Sequence, residues 1–99
     1  MSETSVLLEA QEAVFGERAK TYGHPKENFK RIADLWNAYF VAQYPGFGPP
    51  APVLEPVDVA QMMILMKMAR LVETPNHRDS WVDIAGYAET GARVLGLDE

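Results

Sequence analysis

Two aspartates, Asp79 and Asp83, lie four residues apart in the last third of the chain. Residues at this spacing share one face of a helix, where two carboxylates repel each other unless a positive charge joins them. Mg²⁺ and Mn²⁺ prefer carboxylate oxygens as ligands. Lys67 and Arg70, on the preceding segment, are the basic side chains that could join them instead. The spacing therefore indicates either a metal site or an ion pair.

A third aspartate, Asp58, lies at the start of the preceding predicted helix. If the two helices pack antiparallel and overlap along much of their length, Asp58 approaches Asp83. Asp58, Asp79 and Asp83 are therefore the candidate metal ligands, with Mg²⁺ as the candidate cofactor. Lys67 and Arg70 share a helix face, where they either pair with acids or hold the oxygens of a phosphate group.

Residues 22–29 (YGHPKENF) place His24 and Asn28 at a predicted helix start. The exposed backbone N–H groups of a helix start favour anions, so both residues are candidate substrate-binding residues. His24 is either a general base or ligand, or simply a capping histidine. The sequence has no glycine-rich phosphate loop, nucleophile elbow or paired-histidine zinc motif, and no catalytic residue is identified.

The elements that must position these residues are helices, because the apolar residues recur with a period near 3.6 and no alternating strand pattern occurs. Helices are predicted over about residues 5–21, 25–43, 56–73 and 77–95. The region 44–56 carries five prolines and is predicted to be a loop, either a semi-rigid crossover or disordered. The prediction is an all-α fold of four main helices in a compact bundle, forming one domain over residues 1–99.

The predicted fourth helix begins after Asn76, a candidate N-cap. Its core-facing stripe is predicted to include Trp81 and Ile84, with Asp83 at the margin of that stripe. Trp36, in the aromatic stripe of the second helix, is also interpreted as a core residue. Small residues on the fourth helix, Gly86 and Gly91 among them, would permit close helix approach.

The predicted third helix is apolar around almost its whole circumference, which is typical of a central helix. One small protomer can hardly cover such a helix on every side. We therefore expect a homo-oligomer, most simply a two-fold dimer, to complete the bundle.

Composition limits the partners and the location. The formal charge of −5 and the scattered basic residues make nucleic acid an unlikely partner. The longest apolar run is far shorter than a membrane span, and no secretory signal is recognisable, so we expect a cytoplasmic protein without membrane contact. The 99 residues include no cysteine, which excludes disulfides and thiolate metal sites.

Three blocks of the sequence resemble a family of small uncharacterised phage and prophage proteins. The blocks are residues 22–29, residues 58–70 (DVAQMMILMKMAR) and residues 77–87 (HRDSWVDIAGY). The resemblance covers nearly the whole chain apart from the proline-rich loop. It implies a phage-encoded protein located in the host cytoplasm, but it brings no activity with it.

The second half also resembles, more distantly, the all-α nucleoside triphosphate pyrophosphatases of the MazG-like group. Those oligomeric proteins bind Mg²⁺ through two acidic helix motifs, which correspond here to residues 58–61 and 80–83. Asp58 and Asp83 keep a carboxylate, whereas Gln61 and Ser80 depart from the pattern and Asp79 is the substitute for Ser80.

The resemblance implies a nucleotide-binding protein, with Mg²⁺-dependent hydrolysis of a nucleoside triphosphate as its possible reaction. The departures at Gln61 and Ser80 instead favour two alternatives. One is a non-enzymatic phage interaction module that binds a host or phage protein, and the other is a nucleotide sensor without turnover.

Overall fold

The structure, a computed structural model, describes residues 5–16, 24–50 and 52–97. All regular elements in these ranges are α-helices: α1 Val6–Phe15, α2 Pro25–Gln43, α3 Pro56–Glu73 and α4 Arg78–Val94. The all-α prediction is confirmed, and the bounds of α2, α3 and α4 agree closely with the sequence pattern. The last part of the predicted first helix and the break around Gly23 lie outside the described residues.

Local signals explain where the helices begin. Ser5 caps α1, since its Oγ accepts a hydrogen bond from the Leu8 N–H at 3.0 Å. Pro25 and Pro56 occupy first-turn positions of α2 and α3, where a missing N–H costs nothing. The N-cap prediction for α4 was wrong by one residue, because His77 rather than Asn76 has the extended cap backbone.

Helices α3 and α4 pack against each other as an antiparallel pair joined by a short turn. Two contacts along the pair show the direction: Ala60 lies opposite Gly91, and Lys67 lies opposite Asp83. Helix α2 packs on both members of the pair, and α1 packs on α4. The four helices therefore meet around α4, which contacts each of the other three.

The buried core lies where α2 meets the start of α3. Partly buried side chains from α2, α3, α4 and the loop end pack around it. The buried members are Phe29, Ala33, Val59 and Ala60. Trp36 is among the partly buried side chains that pack on this core, as its place in the aromatic stripe predicted.

The predicted core stripe of α4 was wrong in its phase. Trp81 is 48% exposed, and its indole N–H donates to the Pro75 carbonyl at 2.9 Å. The buried residues of α4 are instead Ser80, Val82 and Gly86. This rotation turns the side of α4 that carries Asp83 towards the other helices.

The proline-rich loop between α2 and α3 is attached to α2 at its far end. The Asn37 side-chain amide donates to the Leu54 carbonyl at 3.0 Å and accepts from the Leu54 N–H at 2.9 Å. These bonds favour the crossover interpretation over disorder at this end of the loop. Among the described helices, none is long and apolar enough to cross a membrane.

Candidate functional site

The three aspartates predicted to hold Mg²⁺ are not gathered in this structure. The Asp58 carboxylate caps the start of α3, where Oδ2 accepts from the Glu55 N–H at 2.7 Å. Asp79 lies in the first turn of α4, at the other end of the antiparallel pair. The helical rise from Asp58 to the end of α3 is about 22 Å, which separates the two carboxylates. Across the described residues, no group of three or more Asp, Glu, His or Cys side chains could hold a metal ion.

Asp83 forms the ion pair that the sequence offered as the alternative to metal. Its Oδ2 lies 3.1 Å from Nζ of Lys67, whose side chain is only 14% exposed. The antiparallel packing of α3 and α4 places the two side chains opposite each other. The prediction that a basic residue of the third helix neutralises Asp83 is confirmed.

The four predicted substrate-binding residues separate into different roles. His24 is the N-cap of α2, and its Nδ1 accepts from the Lys26 N–H at 3.0 Å, which confirms the capping alternative. Arg70 is exposed in the last turn of α3, and Lys67 pairs with Asp83. Asn28 lines a half-open cavity. Asn28 and Asp83 are the only predicted site residues that line this cavity.

This cavity has a volume of about 360 Å³ and lies between all four helices. Most of its wall is apolar and includes aromatic rings from α2 and α4. The apolar lining residues are Ala13, Val14, Pro25, Phe29, Ile32, Trp36, Val59, Met63, Val82 and Gly86. The polar and amphipathic lining residues are Asn28, Asp83, Tyr87, Thr90 and Arg93.

The electrostatics at one side of the cavity depend on Tyr87, Asp83 and Lys67. Burial raises the pKa of Tyr87 above its ordinary value, and the Asp83 carboxylate raises it further, whereas the Lys67 ammonium acts in the opposite direction. The Tyr87 hydroxyl therefore stays protonated at neutral pH and can donate a hydrogen bond. The Asp83 carboxylate, next to it, is an acceptor whose charge Lys67 balances.

Other polar side chains add donors and acceptors with different geometries. Thr90 Oγ1 donates to the Gly86 carbonyl at 2.9 Å, so its lone pairs are the part that can accept from a ligand. Asn28 Oδ1 accepts from Arg31 at 3.3 Å, which leaves the amide nitrogen as its donor. The guanidinium of Arg93 lies 4.8 Å from the Phe15 ring centroid. The arrangement is suited to binding, with a few directional polar groups around an apolar wall.

Tyr87, Thr90, Arg93 and Trp36 line the cavity but were not predicted as site residues. A signal was present in the sequence, because the cavity-lining positions 83, 86, 87, 90 and 93 of α4 recur at helical spacing. The large Trp81 side chain instead favoured the stripe with Trp81 and Ile84 as the core-facing one. The cavity could not be predicted from the pattern of any single helix, because all four helices contribute to its wall.

Comparison with known proteins places these residues in a family. The family described as Domain of unknown function (DUF6378) matches residues 5–95, which include all four helices. This chain belongs to that family. The DUF6378 match extends from the N-cap of α1 to the residue after α4, so the whole wall of the cavity lies within it.

Two relatives of this DUF6378 chain come from bacteriophages. The Gene 55 protein of Mycobacterium phage D29 is 48% identical over 94 residues, which cover 95% of this chain and 55% of that protein. The Gene 55 protein of Mycobacterium phage L5 is 48% identical over 84 residues, which cover 85% of this chain and 48% of that protein. The chain thus spans about half the length of these curated relatives. No solved structure matches it.

These matches confirm the predicted resemblance to a family of phage proteins. The likeness to the MazG-like pyrophosphatases stays a prediction.

Proposed function

We propose that this chain is a nucleotide-binding module, and that its half-open cavity takes the base and sugar of a nucleoside or nucleotide. The observation that carries the proposal is the cavity itself, about 360 Å³ with aromatic and aliphatic walls and a few polar side chains. Small-molecule sites generally have volumes of about 300–1,000 Å³ and this kind of lining. The volume suits a nucleoside better than a larger cofactor.

The chemistry of the lining supports a nucleobase. Every nucleobase carries at least one N–H group, and the Asp83 carboxylate can accept a hydrogen bond from it. The Asn28 side chain offers an amide. Aromatic side chains contribute roughly 1–3 kcal/mol per base when a base stacks on them. Trp36, Phe29 and Tyr87 supply such surfaces. Arg93 brings a cation to the same wall, where a phosphate would gain a charge-assisted contact.

The predicted metal ligands do not fit a Mg²⁺ site. Asp58 is engaged at the start of α3, Asp83 is neutralised by Lys67, and the described residues assemble no cluster of metal ligands. The proposal therefore concerns binding and includes no metal-dependent step. It corresponds to the nucleotide-sensor alternative more closely than to a pyrophosphohydrolase.

The experiment is a ligand titration of the full chain with nucleosides and nucleotides of each base. Tryptophan fluorescence is read in a Trp81→Phe background, so that Trp36, in the cavity wall, is the only indole. We expect one class of base to change the Trp36 emission and to raise the melting temperature in proportion to occupancy. Asp83→Asn should weaken this response, whereas Asp34→Asn, at an exposed position on α2, should leave it unchanged.

Two outcomes would redirect the interpretation. If no nucleoside or nucleotide changes either signal at millimolar concentration, the nucleotide proposal is wrong and the protein-interaction alternative gains. Mg²⁺ alone should leave the melting temperature unchanged. A rise with Mg²⁺ that disappears in both Asp58→Asn and Asp83→Asn would support the three-aspartate site instead.

A further inference from the structure

The outer face of α3 carries an apolar stripe that no other described helix covers. It consists of Leu65, Met68, Ala69 and Val72, called here the α3 stripe, at the spacing i, i+3, i+4 and i+7. Leu65 is 65% exposed, Met68 is 50% exposed and Val72 is 86% exposed. Residues at this spacing form a continuous band about 100° wide along a helix, the width that a helix normally turns towards a core.

Single exposed apolar residues are ordinary, but a continuous band of them marks an interaction site. Helix α3 uses its other faces inside the protomer, since Val59, Ala60 and Leu71 are buried. The α3 stripe is thus a second apolar face on a helix that has already packed against α2 and α4. No charged residue interrupts the band.

We propose that the α3 stripe is the interface between two copies of this chain, with α3 packed against α3 of the second copy about a two-fold axis. A two-fold interface joins the same patch on both subunits, so the patch must be complementary to itself. An uncharged band of Leu, Met, Ala and Val meets that condition, because two copies bring no like charges together. This matters for a chain of net charge −5, in which most other surfaces would repel their own copy.

This interface does not depend on the proposed nucleotide site. The α3 residues that line the cavity are Val59 and Met63, and no residue of the α3 stripe lines it. Variants in the α3 stripe and variants in the cavity therefore test the dimer and ligand binding separately.

The test is the molar mass of the full chain in solution, measured by light scattering after size exclusion. The protomer mass is 11.1 kDa, and we expect about twice this value at high micromolar concentration. Leu65→Glu should give the monomer mass with an unchanged helical circular dichroism spectrum. The matched control is Leu35→Glu on α2, a leucine that is 66% exposed but lies outside the stripe, and it should remain dimeric.

Cysteine cross-linking locates the contact independently of stability. The natural chain has no cysteine, so Met68→Cys introduces a single thiol in the middle of the stripe. Mild oxidation should convert this variant to a disulfide-linked dimer, whereas Leu35→Cys should stay largely uncross-linked. A wild-type monomer at these concentrations would overturn the proposal. So would dissociation caused by Leu35→Glu and not by Leu65→Glu, since that result would place the interface on α2.

Discussion

Asp83 combines two functions at the scale of a single residue. Its carboxylate neutralises Lys67 on one side and contributes to the cavity wall on the other. With the Lys67 contact alone, the carboxylate would belong to an ordinary surface ion pair. With its place in the cavity wall alone, it would be an unpaired, partly buried charge. With both, Asp83 provides the cavity with a hydrogen-bond acceptor at a lower desolvation cost than an isolated charge would carry.

The Lys67–Asp83 pair should matter more for stability than the exposed Lys30–Asp34 pair. The side chains of Lys67 and Asp83 are 14% and 41% exposed, whereas those of Lys30 and Asp34 are 68% and 59% exposed. We expect Asp83→Asn to lower the free energy of unfolding by roughly 1–3 kcal/mol, because a nearly buried ammonium loses its partner. Asp34→Asn should cost much less, since solvent screens that pair.

Chemical denaturation of the two variants measures this difference. Adding Lys67→Met to Asp83→Asn should recover part of the lost stability, because the double variant leaves no unpaired charge. Equal losses for Asp83→Asn and Asp34→Asn would mean that the Lys67 environment is as well solvated as the surface of α2.

Tyr87 should make the protein more sensitive to alkaline pH. Burial raises the pKa of Tyr87 in the folded state, and the Asp83 carboxylate adds to that rise. The protonated phenol is thus favoured by folding, so its contribution to stability is complete below the pKa of the unfolded state, about 10. That contribution is lost as pH rises through the higher folded-state pKa.

We therefore expect the melting temperature of the wild type to fall more steeply above about pH 10 than that of Tyr87→Phe. Absorbance titration of the phenolates should also lose its most alkaline component in Tyr87→Phe. Parallel pH profiles for the two proteins would show that the Tyr87 hydroxyl is not shielded in the folded state.

At the residue scale, the sequence was informative where spacing alone decides a contact. Lys67 and Arg70 were predicted as the alternative basic partners of Asp83, and the structure shows that the partner is Lys67. The burial of Trp81 could not be judged in the same way, since its size suggested a core residue. Its exposed position depends on the rotation of α4, which the packing of all four helices determines.

At the scale of elements, the helix boundaries were predictable because their causes are local. Prolines at the first turns of α2 and α3 and the four prolines of the loop between these helices fix these limits without tertiary contacts. The rotation of each helix about its axis has no such local cause. For this reason the predicted core stripe of α4 lay on the wrong face of the helix, whereas the predicted ends of the helix were nearly correct.

The distance between α3 and α4 is set by small residues. A Cβ added to Gly91 would lie 3.3 Å from Cβ of Ala60, a buried residue of α3. At Gly86 the nearest atom would be Cγ2 of Val14 at 3.7 Å, an ordinary contact. The predicted close approach of helices at these glycines is thus confirmed at Gly91, where α4 packs closely on Ala60 of α3.

Gly86→Ala and Gly91→Ala should therefore differ although both are the same change within one helix. Alanine in place of a mid-helix glycine gains roughly 0.5–1 kcal/mol, and Gly86→Ala should keep most of that gain. Gly91→Ala should be less stable than Gly86→Ala, because the new methyl group forces Ala60 and the backbone of α3 away. Thermal unfolding of both variants gives the comparison, and equal stabilisation would mean that α3 moves at little cost.

At the scale of the whole molecule, the described residues bury few large side chains. Among those that are almost completely covered, the largest are Val59 and Ser80. Several leucine and methionine side chains remain exposed on α1, α2 and α3. A protomer with this distribution gains much of its stability from association if a second copy covers part of that surface.

The melting temperature should then depend on protein concentration. Since the dimer forms only from folded protomers, mass action stabilises it as concentration rises. We expect the wild type to melt at a lower temperature after a hundredfold dilution, and Val72→Glu to melt at the same temperature across that range. A wild-type midpoint that does not move with concentration would argue that the protomer is complete in itself.

The half-open cavity between the four helices could not be predicted from the sequence at this scale. The apolar character of the third helix predicted that one protomer would not cover it, and the exposed α3 stripe agrees with that expectation. The cavity, in contrast, is a gap left where four segments fail to fill the space between them. Such a gap depends on the sum of side-chain volumes, which periodicity along one chain does not contain.

The Asn37 side chain holds Leu54 much as a neighbouring peptide group would, with one bond donated and one accepted. These two bonds, together with the core shared by α2 and the start of α3, join the two halves of the chain independently of residues 45–50. We therefore expect the helices to keep their positions when the chain is opened within residues 45–50. Two separately made halves, divided there, should assemble into one protein.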